Sequence, residues 1–205
     1  MTKKIQAKEK YNRASKHYDL FETPMEKLLF SKLRKSVLPS VVGNVLEVGV
    51  GTGKNLPYYS DKVNLIGVDF SSGMLEKAQQ QLATLTLSDV ELLEMDAQDL
   101  KFDENSFDTT ISTFVFCTVP DPLRGLKNVY RVLKPGGKAI FIEHMKTDYW
   151  PVNLFLKLMN FFSIRMLGTS MIRETEKNII EAGFKVNSVV RHIFGVVRVI
   201  TATKN

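Results

Sequence analysis

The chain has 205 residues, of which 44% are hydrophobic and 24% charged, the balance of a folded domain and not of a disordered or fibrous chain. Its one cysteine, Cys117, excludes an internal disulfide, and the first ten residues hold no apolar run to serve as a secretion signal, so a cytoplasmic protein is expected. A net charge of +6, from 28 basic and 22 acidic side chains, suits an anionic membrane surface or a nucleic acid as partner, but a solvated lysine-rich surface is the commoner explanation.

Residues 1–40 carry helical spacing: Tyr11, Ala14 and Tyr18, then Leu28, Leu29, Leu33 and Val37, recur three to four apart. Pro24 is placed to open a second helix and Pro39 to stop it, which gives an N-terminal helical cap over 1–40. A domain over 41–205 then alternates strand and helix. Strand one is expected at 44–48, a short helix at 53–59, and strand two at 63–69. Ser71 or Ser72 can cap a helix running from Gly73 to Leu85. Strand three spans 90–95, strand four begins at Phe107, and a helix runs from Pro122 to Leu133. Lys134-Pro135-Gly136-Gly137 reads as a tight turn before strand five at 138–143. A helix over 170–182 with Gly183 just past its end precedes two strands, 184–191 and 194–203. Such a β-α-β rhythm predicts a parallel sheet with helices on both faces and a terminal hairpin.

The most informative stretch is Val45-Leu46-Glu47-Val48-Gly49-Val50-Gly51-Thr52-Gly53. Glycines at a strand-to-helix turn permit positive φ and close approach of a ligand. A dinucleotide site would place its third glycine at position 54, which is Lys54, and Glu47 would repel a pyrophosphate. A ligand carrying an ammonium and a sulfonium would be attracted instead, and S-adenosylmethionine is such a ligand. Strand two ends in Asp69, twenty residues after Gly49, where an acid can accept both ribose hydroxyls of an adenosine. Either acid alone is also readable as a polar strand end, with Asp69 as a helix cap. Their joint spacing around this turn favours the ligand.

These segments together resemble the class I S-adenosylmethionine-dependent methyltransferases. The matching motifs are Leu46–Gly53, Gly67-Val68-Asp69, Asp96-Ala97 and Arg131-Val132-Leu133-Lys134-Pro135-Gly136-Gly137. The resemblance implies a Rossmann-like α/β fold whose seven-stranded sheet has the order 3-2-1-4-5-7-6, strand seven antiparallel. It further implies that Glu47 and Gly49 line the methionine end of the cofactor, that Gly51 and Gly53 give backbone clearance, and that Asp69 holds the ribose. Met74 would pack on adenine, Asp96 would lie near its exocyclic amine, Ala97 would offer a backbone amide, and Thr113 would lie near the methionine moiety. Core packing is the competing reading for Met74. A narrower resemblance rests on Thr113–Pro122, Phe141-Ile142-Glu143-His144, Tyr11-Asn12-Arg13-Ala14 and Tyr18-Asp19-Leu20. It is to bacterial phosphatidylethanolamine N-methyltransferases and to membrane-associated thiol methyltransferases of animals.

Methyl transfer from a sulfonium is an in-line displacement that needs alignment and exclusion of water more than a catalytic triad. An amine acceptor must be neutral to attack, so a proton acceptor is useful. His144, at the end of strand five, is the leading candidate for orienting or deprotonating it. The competing reading is a strand-end histidine bonded to Glu143 or a backbone carbonyl. Tyr11 and Tyr18 are candidates for contacting the substrate from the cap, Tyr18 also as a catalytic group, and tyrosine faces stabilise cations. Simple helix packing explains them as well. Metal ligation is not expected: His17, His144 and His192 share no ligand spacing, and Glu143 and His144 point to opposite faces of a strand. Cys117 reads as a small buried residue.

The segment Tyr149–Leu167, within a substrate-side insertion at 145–169, holds only Lys157 and Arg165 as charges among many apolar residues. It suits a cover over an apolar acceptor, an interfacial membrane helix, or an ordinary helix packed on the sheet edge. A small-molecule or lipid acceptor is therefore expected, best a phospholipid headgroup amine, with a soluble metabolite or thiol as the alternative. No nucleic acid is expected as substrate, because strand four lacks the Asn/Asp-Pro-Pro-aromatic motif. A non-catalytic cofactor-binding module remains a fourth reading.

Overall fold

The computed structural model describes residues 29–167, 170 and 172–205. Tyr11, Tyr18 and most of the expected 1–40 cap lie outside the described residues.

Seven strands form one sheet: β1 Gly43–Val48, β2 Val63–Asp69, β3 Val90–Glu94, β4 Phe107–Thr113, β5 Leu133–His144, β6 Lys185–His192 and β7 Val197–Thr203. Their order is β3-β2-β1-β4-β5-β7-β6. The first five are parallel, and β7 runs antiparallel between β5 and β6. Among the described residues the α-helices are α1 Ser31–Val37, α2 Ser72–Leu82, α3 Pro122–Val132, α4 Trp150–Leu167 and α5 Thr175–Glu181. Among the described residues, no helix is long and apolar enough to cross a membrane.

Side-chain alternation along the strands divides the core into two layers. Leu46, Ala139 and Phe141 face one layer with Leu126 and Val129 of α3 and Ile179 of α5. Val45, Ile140 and Ile142 face the other with Leu33 of α1 and Leu56. Buried on both sides, β5 carries the unbroken apolar run Ala139–Ile142, while β1 and β4 also bury polar side chains such as Glu47, Thr110 and Ser112.

Four elements depart from the sequence expectation in extent. The helix expected over 53–59 is a single 3₁₀ turn, Leu56–Tyr58, held short by Pro57 near its start. The helix after β2 ends at Leu82, with Ser71 as its cap, accepting from the Met74 N–H. The Lys134–Gly137 turn lies inside β5 as an irregularity, since Phe107 pairs with Leu133 and Thr109 with Lys138. There the Gly136 N–H donates to the Lys204 carbonyl at 2.8 Å and the Lys204 N–H donates to the Gly137 carbonyl at 3.2 Å, stitching the turn to the end of β7. The last helix begins at Thr175 and not at Ser170, because the preceding residues are bonded elsewhere: the Ser170 N–H donates to the Cys117 carbonyl at 2.9 Å, and Arg173 Nη2 donates to the Val119 carbonyl at 3.0 Å.

Candidate active site

The C-terminal ends of β1, β2 and β4 open into one cleft of about 1060 Å³ including its mouth. This is where open α/β sheets bind ligands, since the strand order reverses between β1 and β4. Glu47, Gly49, Gly51, Asp69, Met74, Asp96, Ala97 and Thr113 all line it, so eight positions named from the sequence converge there. Gly53 sits just beyond the lining, where a Cβ would come within 3.1 Å of the Ala78 Cα on α2.

Two of the glycines serve different purposes. Gly49 has φ +73, and a Cβ there would sit 2.3 Å from Val115 Cγ2, so the turn and the wall opposite are in direct contact. Gly51 has φ +56, yet a Cβ there would meet no atom within 4 Å. Its missing side chain leaves room on the cleft side of the turn. That room, beside two carboxylates, fits an adenosine-bearing cation.

Asp69 is 7% exposed. Its Oδ2 accepts the Gly51 N–H at 2.9 Å and its Oδ1 accepts the Ser71 N–H at 2.9 Å. The Phe70 N–H also bonds this carboxylate, and the two oxygens have four lone pairs between them, so acceptor capacity remains for a ligand hydroxyl. Burial pushes this carboxyl up to about 6, against the pull of those backbone N–H groups. Asp96 accepts from the Gln98 N–H at 2.9 Å and from its side-chain amide at 3.1 Å, which fixes its orientation. Met74 is 2% exposed and still lines the cleft, so core packing and ligand contact coexist in one side chain.

Glu47 is not an open carboxylate. It is 1% exposed, its Oε1 accepts from Asn55 Nδ2 at 2.8 Å, and its Oε2 accepts from the Tyr59 hydroxyl at 2.9 Å. Asn55 Nδ2 also donates to Thr113 Oγ1 at 3.0 Å, and Asn55 Oδ1 accepts from Arg34 Nε at 2.6 Å. Burial pushes Glu47 up to about 7, outweighing the Tyr59 and Asn55 hydrogen bonds and the nearby Arg34 charge. Arg34, 4% exposed and lining the cleft, is a cation the sequence reading passed over. Its place among apolar neighbours at helical spacing hid it. Asn55 and Tyr59, spaced i and i+4 across the 3₁₀ turn, were the legible signal for this network.

The opposite wall is the turn Phe114–Pro120, and its organiser is Glu143 on β5. Glu143 is fully buried, and its Oε1 accepts the N–H groups of Val115 and Phe116, each at 3.0 Å. Oε2 has no hydrogen-bond partner among the described residues. Burial pushes this carboxyl up to about 7. Phe114, at φ +59, lies in the left-handed region that bulky residues rarely occupy. It stacks on His144 with centroids 4.3 Å apart and lies 4.6 Å from the Phe30 ring. His144 itself is not among the cleft-lining residues; it meets Phe114, which is. Cys117 is buried, and no cluster of metal-ligating side chains occurs among the described residues.

Comparison with known proteins agrees with this geometry. Residues 46–141 match the family described as methyltransferase domain. A phosphatidylethanolamine N-methyltransferase of Cereibacter sphaeroides is 41% identical over 111 residues, 54% of this chain and 55% of that protein. A demethylmenaquinone methyltransferase of Oceanobacillus iheyensis is 41% identical over 102 residues, 48% of this chain and 43% of that protein. The chain thus spans about half the length of the curated relatives it matches. A SAM-dependent methyltransferase of Thermotoga maritima superposes with a TM-score of 0.73 at 25% identity, covering 96% of this chain and 99% of that one. Residues 46–141 therefore carry a methyltransferase domain in a chain of the class I S-adenosylmethionine-dependent methyltransferase fold, with S-adenosylmethionine the implied methyl donor.

Proposed function

We propose that this chain methylates the amine of a phospholipid headgroup, that of phosphatidylethanolamine. The observation that carries the acceptor is Phe114, a strained aromatic lining the cleft and braced by His144 and Phe30. An aromatic face suits an amine that gains positive charge as it is methylated. The 41% identity to a phosphatidylethanolamine N-methyltransferase supports the same acceptor.

When bound, S-adenosylmethionine supplies a sulfonium methyl whose C–S bond breaks, leaving a neutral thioether. The residues then divide the work. Asp69 takes the ribose hydroxyls, Met74 and Ala97 the adenine, and Asp96 its exocyclic amine. The Glu47–Asn55–Thr113 group receives the ammonium of the methionine end, and Arg34 its carboxylate. Transfer to a neutral amine would form the carbon–nitrogen bond as the methyl–sulfur bond breaks and leave an ammonium that loses its proton to solvent, so the cleft's task would be to align the two partners and exclude water until transfer is complete. His144 acts through Phe114 as a positioning residue, since the imidazole meets that ring and does not line the cleft.

The similarity to a demethylmenaquinone methyltransferase favours a second reading, an apolar quinol as acceptor. Methyl-labelled cofactor offered with phosphatidylethanolamine in detergent, demethylmenaquinol in detergent, and soluble amines and thiols separates them. Label in the phospholipid alone is expected. Label in the quinol alone transfers the assignment, and label only in soluble acceptors overturns both.

A further inference from the structure

The helix α4 and the β6–β7 connection expose large apolar side chains side by side. Trp150 is 73% exposed, Leu154 60% and Leu158 67%, one stripe at i, i+4 and i+8, while Leu156 faces inward at 3%. Tyr149 stacks on Phe194 at 6.2 Å between centroids, and Phe194 is 75% exposed. Exposed apolar groups that are contiguous, not scattered, mark an interaction surface.

This surface is built. Ile193 (φ 47), Phe194 (φ 52) and Gly195 (φ 81) are three consecutive left-handed residues, two of them bulky, and such a tip persists only when its surroundings hold it. The buried Thr147 hydroxyl donates to the Phe194 carbonyl. Asn153 on α4 is tied to the same residue, its Oδ1 accepting the Thr147 N–H at 3.1 Å. Arg198, 7% exposed, donates to the carbonyls of Gly195 at 3.2 Å and Lys146 at 2.9 Å. Helix start and hairpin tip are thereby joined in one platform.

We propose that the face formed by Tyr149, Trp150, Leu154, Leu158 and Phe194 docks on an anionic phospholipid bilayer. This deepens the lipid-acceptor reading and rests on it. Charge selects the occupant. The helix contains no Asp or Glu, and Lys157 is exposed within the Leu154–Leu158 stripe. Arg191 is exposed beside the tip, its Cδ lying 3.9 Å from where a Gly195 Cβ would be. Of the neighbouring acids, Glu176 binds Arg198 at 2.5 Å and Glu174 lies 3.7 Å from Lys146, which leaves Asp148, exposed and 4.0 Å from the already paired Arg198, as one acid against the exposed Lys157 and Arg191. A second copy of the chain would bring like cations together across an isologous contact, whereas lipid phosphates neutralise them. Trp and Tyr are the residues that settle at headgroup level, and a helix too polar to span lies flat in the interface.

Trp150 is the only tryptophan, so its emission reports on the face directly. The probe is vesicles of phosphatidylglycerol with phosphatidylcholine, set against phosphatidylcholine alone, with brominated acyl chains as quencher. A blue shift and quenching on the anionic vesicles alone are expected, weakened at about 0.5 M salt. Leu154→Ser with Leu158→Ser, which keeps the reporter, lowers partitioning roughly tenfold or more while S-adenosylmethionine affinity stays unchanged. Unshifted emission overturns the proposal, as does equal partitioning by the variant. Sedimentation showing a dimer that the variant dissolves assigns the face to a second copy instead. Turnover of detergent-dispersed phosphatidylethanolamine without vesicle binding overturns the docking face and keeps the acceptor. Binding without turnover supports the face and overturns the acceptor.

Discussion

Asn55 donates its side-chain N–H to Glu47 Oε1 at 2.8 Å while its carbonyl oxygen accepts from Arg34 Nε at 2.6 Å. One neutral amide thus stands between a buried cation and a buried carboxylate at the end of the cleft. The carboxylate has two neutral donors and no direct cationic partner in these bonds, and burial leaves it titrating at about 7. A cationic ligand beside it supplies the missing charge.

Binding of S-adenosylmethionine is therefore expected to release protons near neutrality. Glu47 titrates at about 7 and Asp69 at about 6 in the ligand-free protein, and the ligand's positive charge favours the ionised forms. Affinity rises with pH from about 5.5 to about 7.5 and then levels off. Calorimetry in buffers of different ionisation enthalpy measures the released protons directly. A constant affinity with no buffer dependence would show that neither carboxyl senses the ligand.

The two cleft glycines are expected to fail differently. Gly49→Ala drives a methyl into Val115, where the gap is 2.3 Å, so folding suffers by about 2–4 kcal/mol from overpacking and positive φ together. Gly51→Ala meets no neighbour and pays only the left-handed backbone, about 1 kcal/mol. Its methyl occupies ligand space instead, so cofactor affinity falls while the melting temperature falls little. Thermal melts with binding isotherms on both variants separate the effects, and equal affinity loss per degree of melting loss would contradict the distinction.

The elements that sequence revealed best are those whose signal is local. The glycines after β1, the acid ending β2 and the cap before α2 are readable because strand alternation and turn chemistry depend on neighbours in the chain. Glu47 stands at the strand end that alternation assigns it, and Asn55 and Tyr59 carry a local signal in their i, i+4 spacing, but Arg34, which holds Asn55 from a distant segment, is not legible from neighbours in the chain. Glu143 shows the same limit: its alternation predicts the face it points to, while the N–H groups it receives lie 27 and 28 residues away. The Leu133–His144 strand swallowed an expected turn because β7, arriving from the far end of the chain, binds it.

Asp69→Ala removes the acceptor of both the Gly51 and Ser71 N–H groups. It is expected to weaken S-adenosylmethionine roughly tenfold or more, through lost ribose contacts and a loosened glycine turn. Asp69→Asn recovers little, because one amide nitrogen then faces a backbone N–H. Adenosine, which keeps the ribose and lacks the cationic tail, should show the same loss. A loss confined to S-adenosylmethionine would move Asp69's role to the charged end of the ligand.

Glu143 predicts how stability changes with pH. Its carboxyl is raised from 4.5 to about 7 by burial, so the folded state holds a proton that the unfolded chain has released. The associated stability is complete below about pH 4.5 and is lost as pH rises through 7, by about 3 kcal/mol for this group. Glu47 and Asp69 shift in the same direction, so the ligand-free protein should melt at a lower temperature at pH 8 than at pH 5. Glu143→Gln keeps a carbonyl to accept the Val115 and Phe116 N–H groups and removes the titration. Its melting temperature should therefore fall less over that interval than the wild type's. Glu143→Ala strands both N–H groups and costs about 2–4 kcal/mol at either pH. Parallel pH profiles for the wild type and Glu143→Gln would show that this carboxyl does not titrate in the folded protein.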